Sequence, residues 1–132
     1  MDFVSIRVIT DDLPRLVAFY ERATGLRADR YTDDFAELRT PGATLALAST
    51  RTVPLFAPGS SRAADNRSVI IEFLVDDVDR VRANLAGLVT DFVTEPTTMP
   101  WGNRALLFRD PDGNLVNFFT PVTPEAVAKF AR

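Results

Sequence analysis

The chain switches between two hydrophobic rhythms, and it does so twice. Residues 3–10 and 68–75 are dominated by β-branched and aliphatic side chains, which predicts a strand in each place. Apolar positions then recur every three or four residues, at Leu13, Leu16, Phe19, Tyr20 and Ala23 and again at Val78, Val81 and Leu85. That period belongs to a helix with one buried stripe. An Asp pair precedes each helix, Asp11-Asp12 and Asp76-Asp77, and either member can cap the free N–H groups of the first turn. Gly25 and Gly87 stand where the helices should stop. Strands follow at Phe35–Arg39 and Thr44–Ser49, and at 104–109 and 115–120. Pro41-Gly42 and the run Asp110-Pro111-Asp112-Gly113-Asn114 supply the turn chemistry between them. The Asp-Pro-Asp-Gly run also resembles the start of a calcium loop, but it lacks a later bidentate Glu, so a hairpin turn is expected.

Sliding the chain against itself by 65 positions brings the two halves into register. Over residues 4–18 and 69–83, Val4/Val69, Ile6/Ile71, Asp11/Asp76, Asp12/Asp77, Arg15/Arg80 and Ala18/Ala83 are identical. The shared Asp pair ahead of a helix favours a repeat over the general likeness of any two strand–helix units. The expected organisation is one domain, 1–132, with repeat unit one at 3–52, a linker at 53–66, unit two at 67–121 and a closing helix at 124–132. The fold class is α+β, two βαβββ units.

Composition removes much chemistry. With no Cys, disulfides, thiol nucleophiles and thiolate metal sites are excluded, and with no His the imidazole base and the His-ligated metal site go too. The net charge of -3 gives no footprint for nucleic acid and mildly favours a cationic small molecule. No apolar run approaches the roughly 18–20 residues of a membrane span, and no basic region precedes an apolar one at the N-terminus, so a cytoplasmic protein is expected.

The stretch Pro100-Trp101-Gly102-Asn103-Arg104, continuing at Phe108-Arg109-Asp110-Pro111-Asp112-Gly113-Asn114-Leu115-Val116-Asn117-Phe118-Phe119, resembles the C-terminal signature of the vicinal oxygen chelate superfamily. That group holds glyoxalases, bleomycin resistance proteins and extradiol dioxygenases. The run ending Thr10-Asp11-Asp12-Leu13, with Phe19-Tyr20 and Gly25-Leu26, resembles the N-terminal one. The resemblance implies a curved mixed sheet around a cup-shaped cavity. It also implies four metal-ligand positions, which fall here on Ser5, Ile70, Asn117 and a residue near Ala46. Ile and Ala cannot ligate, and Ser and Asn are weak neutral donors, so no metal and no other cofactor is expected.

Strand alternation places Ser5, Arg7 and Ile9, and Ile70, Glu72 and Leu74, on the cup face. Val4, Ile6, Val8, Val69, Ile71 and Phe73 form the opposite, helix-packed core face. The resemblance sets the two first strands side by side, so Arg7 and Glu72 are expected to pair, either facing a ligand or merely neutralising each other. Trp101, between Pro and Gly, either packs its own turn or joins Phe35, Phe56 or Phe119 in an aromatic wall. The function these readings favour is metal-independent binding of a small planar or cationic organic ligand, such as an antibiotic to be sequestered, in a homodimer. The alternative is a metal-independent lyase, isomerase or hydrolase with Glu72 as acid or base and Arg7 stabilising an oxyanion.

Overall fold

The computed structural model describes residues 1–131, and the chain divides into two compact units: Met1–Asn66 with Pro111–Gly113, and Arg67–Asp110 with Asn114–Arg132. Arg132, the last residue of the expected closing helix, lies outside the described residues.

Unit one contains β1 (Ser5–Thr10), α1 (Leu13–Thr24), β2 (Asp29–Thr32), β3 (Phe35–Arg39), β4 (Thr44–Ser49) and a short α2 (Val53–Phe56). Its sheet runs β1-β4-β3-β2, with β1 parallel to β4 and the other neighbours antiparallel. Unit two repeats the plan with β5 (Ile70–Leu74), α3 (Val78–Leu85), β6 (Thr97–Thr98), β7 (Asn103–Arg109), β8 (Leu115–Pro121) and α4 (Pro124–Phe130), in sheet order β5-β8-β7-β6. Two βαβββ modules of an α+β protein are thus present.

The register of the two outer strand pairs makes the repeat equivalences explicit. In unit one Ser5 lies beside Thr44 and Arg7 beside Ala46; in unit two Ile70 lies beside Leu115 and Glu72 beside Asn117. Because Arg7 and Glu72 are equivalent, Ala46 and Asn117 are too.

Capping chemistry picks one Asp of each pair. Asp12 accepts from Arg15 N at 3.1 Å, and Asp77 from Arg80 N at 3.1 Å. Gly25 ends α1 at φ 73°, and its N–H donates to the Glu21 carbonyl, as a left-handed cap requires. The expectation for Gly87 is corrected: α3 stops at Leu85, Ala86 follows in right-handed helical conformation, and Gly87 does not take a positive φ. The linker is also less irregular than expected, since it opens on α2 with Pro54 in its first turn. The Asp110–Asn114 run is a closed turn, in which the Asp110 carboxylate accepts the Asn114 backbone N–H at 3.0 Å and its amide at 2.8 Å.

The core face of the first strands differs from expectation. Ile71 is buried and Val8 and Phe73 partly so, but Val4, Ile6 and Val69 are exposed. The cause is topological. β1 and β5 are outermost in their sheets, while α1 packs over β3 and β4 and α3 over β7 and β8. Burial is therefore concentrated on the inner strands, at Ala36, Leu38, Leu45 and Leu47 beneath α1 and at Leu106, Phe108, Val116 and Phe118 in unit two. Among the described residues no helix is long and apolar enough to cross a membrane.

Candidate ligand-binding site

In unit one the sheet face opposite the leucines is built from small residues with large ones around them. Ala46 and Ala48 of β4 are buried and form its floor. Rows across the sheet set Arg7, Ala46 and Glu37 in one line and Ile9, Ala48 and Phe35 in the next. Arg7 carries its guanidinium 4.7 Å from the Phe35 ring centre and 5.2 Å from that of Phe56. Both are cation–π distances. Phe56 reaches this face because α2 follows β4 after a single helical turn at Thr50–Thr52. Tyr31 stacks on Phe35 with ring centres 5.8 Å apart. It lies where the β2–β3 register shifts, and such an irregularity re-aims a side chain.

Unit two carries different chemistry at the equivalent place. Asn117 donates its Nδ2 to Glu72 Oε2 at 2.8 Å. A carboxylate only accepts, so the Asn117 carbonyl oxygen points away, and it is buried with no hydrogen-bond partner. Glu72 is exposed, as is Ile70. Phe119 is buried, its ring 5.2 Å from that of Phe130. Helix α4 of the same chain therefore covers a ring expected to meet ligand.

Trp101 is 68% exposed in the turn before β7. The next residue holds that turn in place: the Gly102 carbonyl accepts from Val122 N at 2.8 Å and Thr123 N at 3.3 Å. Of the residues singled out from the sequence, the structure brings together Arg7, Phe35 and Phe56 in one unit and Glu72 and Asn117 in the other. Arg7 and Glu72 each have their partners within their own unit. Ser5, exposed at the start of β1, lies beside Thr44. Tyr31 and Glu37 escaped sequence reasoning. Nothing in the pattern announces the irregularity that turns Tyr31 toward Phe35, and Glu37 is placed only by the register of β3 on β4.

The family model for the Glyoxalase/Bleomycin resistance protein/Dioxygenase superfamily matches residues 2–118. The chain belongs to that superfamily. Among solved structures, it resembles a glyoxalase/bleomycin resistance protein/dioxygenase from Nocardioides with a TM-score of 0.75 and 22% identity, over 94% of this chain and 85% of that one. A glyoxalase/bleomycin resistance protein/dioxygenase family enzyme from Burkholderia phytofirmans PsJN superposes with a TM-score of 0.81 at 17% identity, over 92% of this chain and 100% of that one. A glyoxalase-related enzyme from Fulvimarina pelagi gives a TM-score of 0.77 at 16% identity, over 90% and 87% of the two chains. At such identities the likeness is one of fold. No curated protein matches the chain.

The resemblance carries the four metal-ligand positions of the superfamily's metal-dependent members onto Ser5, Ile70, Asn117 and a residue near Ala46. These residues do not fit a divalent transition metal. Ala46 and Ile70 offer no donor atom, Ser5 and Asn117 offer neutral oxygens, and the Asn117 amide nitrogen is committed to Glu72. In unit one Ala46 is flanked in its row by Arg7 on one side and Glu37 on the other, so the one carboxylate of that row is accompanied by a cation that would oppose a bound metal.

Proposed function

We propose that this protein binds a small planar organic molecule without a metal and holds it rather than converting it, in the manner of antibiotic sequestration. The observation that carries the proposal is the cluster of Arg7, Phe35 and Phe56 around the Ala46–Ala48 floor. Two aromatic rings and a flat guanidinium lie against one another on the face of the buried Ala46 and Ala48, and the exposed Phe56 ring offers a flat ligand a further stacking surface. Phe56 is 73% and Leu55 83% exposed, an apolar surface that a ligand or a second subunit would cover. A homodimer belongs to this reading, as does Trp101 acting as a further aromatic surface in its own unit.

Calorimetric titration with a panel of planar aromatic compounds, in the presence of EDTA, tests it. Phe35→Ala and Phe56→Ala should each weaken a binding compound by roughly tenfold, the loss expected for one aromatic contact. Binding that EDTA abolishes, or that neither substitution changes, would refute the proposal. Release of an altered product would place the protein among enzymes instead.

A further inference from the structure

The chemistry around Arg7 says more about the ligand than its flatness. Every other arginine on a strand has a carboxylate within 4 Å: Arg30 has Glu21, Arg39 has Asp29, Arg104 has Asp79 and Arg109 has Asp91. Among the described residues Arg7 alone of the strand arginines has none.

The repeat shows what is missing. Its equivalent Glu72 has a polar cross-strand neighbour, Asn117, and bonds to it at 2.8 Å. Arg7 has Ala46 in that position, with no polar atom to offer. Meanwhile the rings of Phe35 and Phe56 lie against the guanidinium at 4.7 and 5.2 Å. Ring contacts hold the guanidinium in place and leave its N–H groups to hydrogen-bond in its own plane. An arginine held in this way presents a fork matched to a carboxylate.

We infer that the molecule taken up by unit one is a planar aromatic acid whose carboxylate is received by Arg7. The inference rests on the reading of this face as a site for a flat ring and specifies its charge. It runs against the direction set by the chain's net charge of -3, which by itself would favour a cation. Local geometry outweighs that background, because salt screens distant surface charges within about 8 Å at physiological ionic strength. Glu37 fixes the polarity of the ligand. It lies in the same row beyond Ala46, two strands from Arg7 and so about 10 Å away between Cα positions. The acid group therefore belongs at the Arg7 end, and any polar substituent at the Glu37 end should be a hydrogen-bond donor.

Three probes of one shape test the charge: 2-naphthoate, 2-naphthamide and 2-naphthylmethylammonium, titrated calorimetrically into the full chain. The acid should bind at least about tenfold tighter than the amide, the amount a charge-assisted hydrogen bond provides. Its affinity should fall with added salt while that of the amide stays level. Arg7→Gln should remove the preference for the acid and leave the amide within about threefold; Arg7→Lys, with charge but no fork, should retain part of it. If Arg7→Gln does not fold, the Arg7→Lys variant and the salt dependence still decide. Equal binding of all three probes, or preference for the ammonium, overturns the anion assignment and leaves the planar site standing. No binding of any probe overturns both.

Discussion

Adding one methyl group at Gly102 should be among the most damaging small changes in unit two. Gly102 sits at φ +95°, where an L side chain costs about 1–2 kcal/mol in backbone strain alone. A Cβ placed there would collide with Thr123 Oγ1 and fall 3.1 Å from Ala126 Cβ. Thr123 is the N-cap of α4, and its hydroxyl accepts from Ala126 N at 3.2 Å. Rotating it away gives up a cap worth about 1 kcal/mol. Together these predict that Gly102→Ala costs about 2–4 kcal/mol, or a melting midpoint roughly 6–20 °C lower for a chain of this size. Circular dichroism during heating and urea titration measures it. Thr123→Ala alone should cost only the cap, and the double variant should cost less than the two single ones added, because the worst contact is with the hydroxyl. Gly87→Ala is the control: its φ is not positive and nothing lies within 4 Å of the added atom, so stability should hold or rise slightly. A Gly102→Ala protein within about 0.5 kcal/mol of the parent, a small change by ordinary mutational standards, would refute the argument, as would strict additivity.

Two further outcomes follow from packing and charge. Leu47 is fully buried in β4 among the leucines beneath α1, so Leu47→Ala should cost about 2–5 kcal/mol by urea unfolding; a loss under about 1 kcal/mol would mean the core lies elsewhere. Asp79 and Glu95 are held below the ordinary carboxylate pKa, first by hydrogen bonds from Arg104 and Arg82 and then by the charges of the same partners. Each arginine engages its carboxylate through two nitrogens, and Arg82 also stacks on Phe92 at 3.6 Å. A carboxylate depressed by folding stabilises the fold above its unfolded value, and that contribution is lost as pH falls through the folded one. Asp79→Asn with Glu95→Gln should thus flatten the decline of the melting midpoint below about pH 4 and leave its slope from pH 6 to 8 unchanged; superimposable profiles would count against these pairs.

How much of this was written in the sequence depended on whether the cause was local. Phe35–Arg39 and Thr44–Ser49 form the strands expected on either side of the Pro41-Gly42 turn, and Leu13, Leu16, Phe19, Tyr20 and Ala23 lie in the buried stripe of α1, because turn chemistry, period and burial are properties of nearby residues. β2 left no trace: all four of its residues are exposed, so it has no apolar alternation to read. The exposure of Ile6 and Val69 was equally hidden, since it depends on which strands the helices cover. At the site, Phe35 and Phe56 were found as aromatics and Arg7 as a charge. That they meet depends on the β3–β4 register and on where α2 directs the chain after β4. The covering of Phe119 by Phe130 likewise follows from where a seven-residue helix lands.

The repeat explains why the site was partly legible at all. The 65-residue offset identified Arg7 and Glu72 as one position in two copies, and the registers extend this to Ala46 and Asn117. Backbone geometry is conserved between the copies while their chemistry has separated: one row pairs a carboxylate with an amide, the other sets an arginine beside a methyl group. A purely structural role would be expected to keep a polar neighbour beside both charges, because strand neighbours at this spacing stabilise each other by a few tenths to 1 kcal/mol. Replacing that neighbour by alanine gives up this gain and leaves the guanidinium against the Phe35 and Phe56 rings, with no acceptor from its cross-strand neighbour. On the proposed reading, the arginine without a carboxylate and the alanines beside it are one feature, a place for an acceptor that the chain itself does not provide.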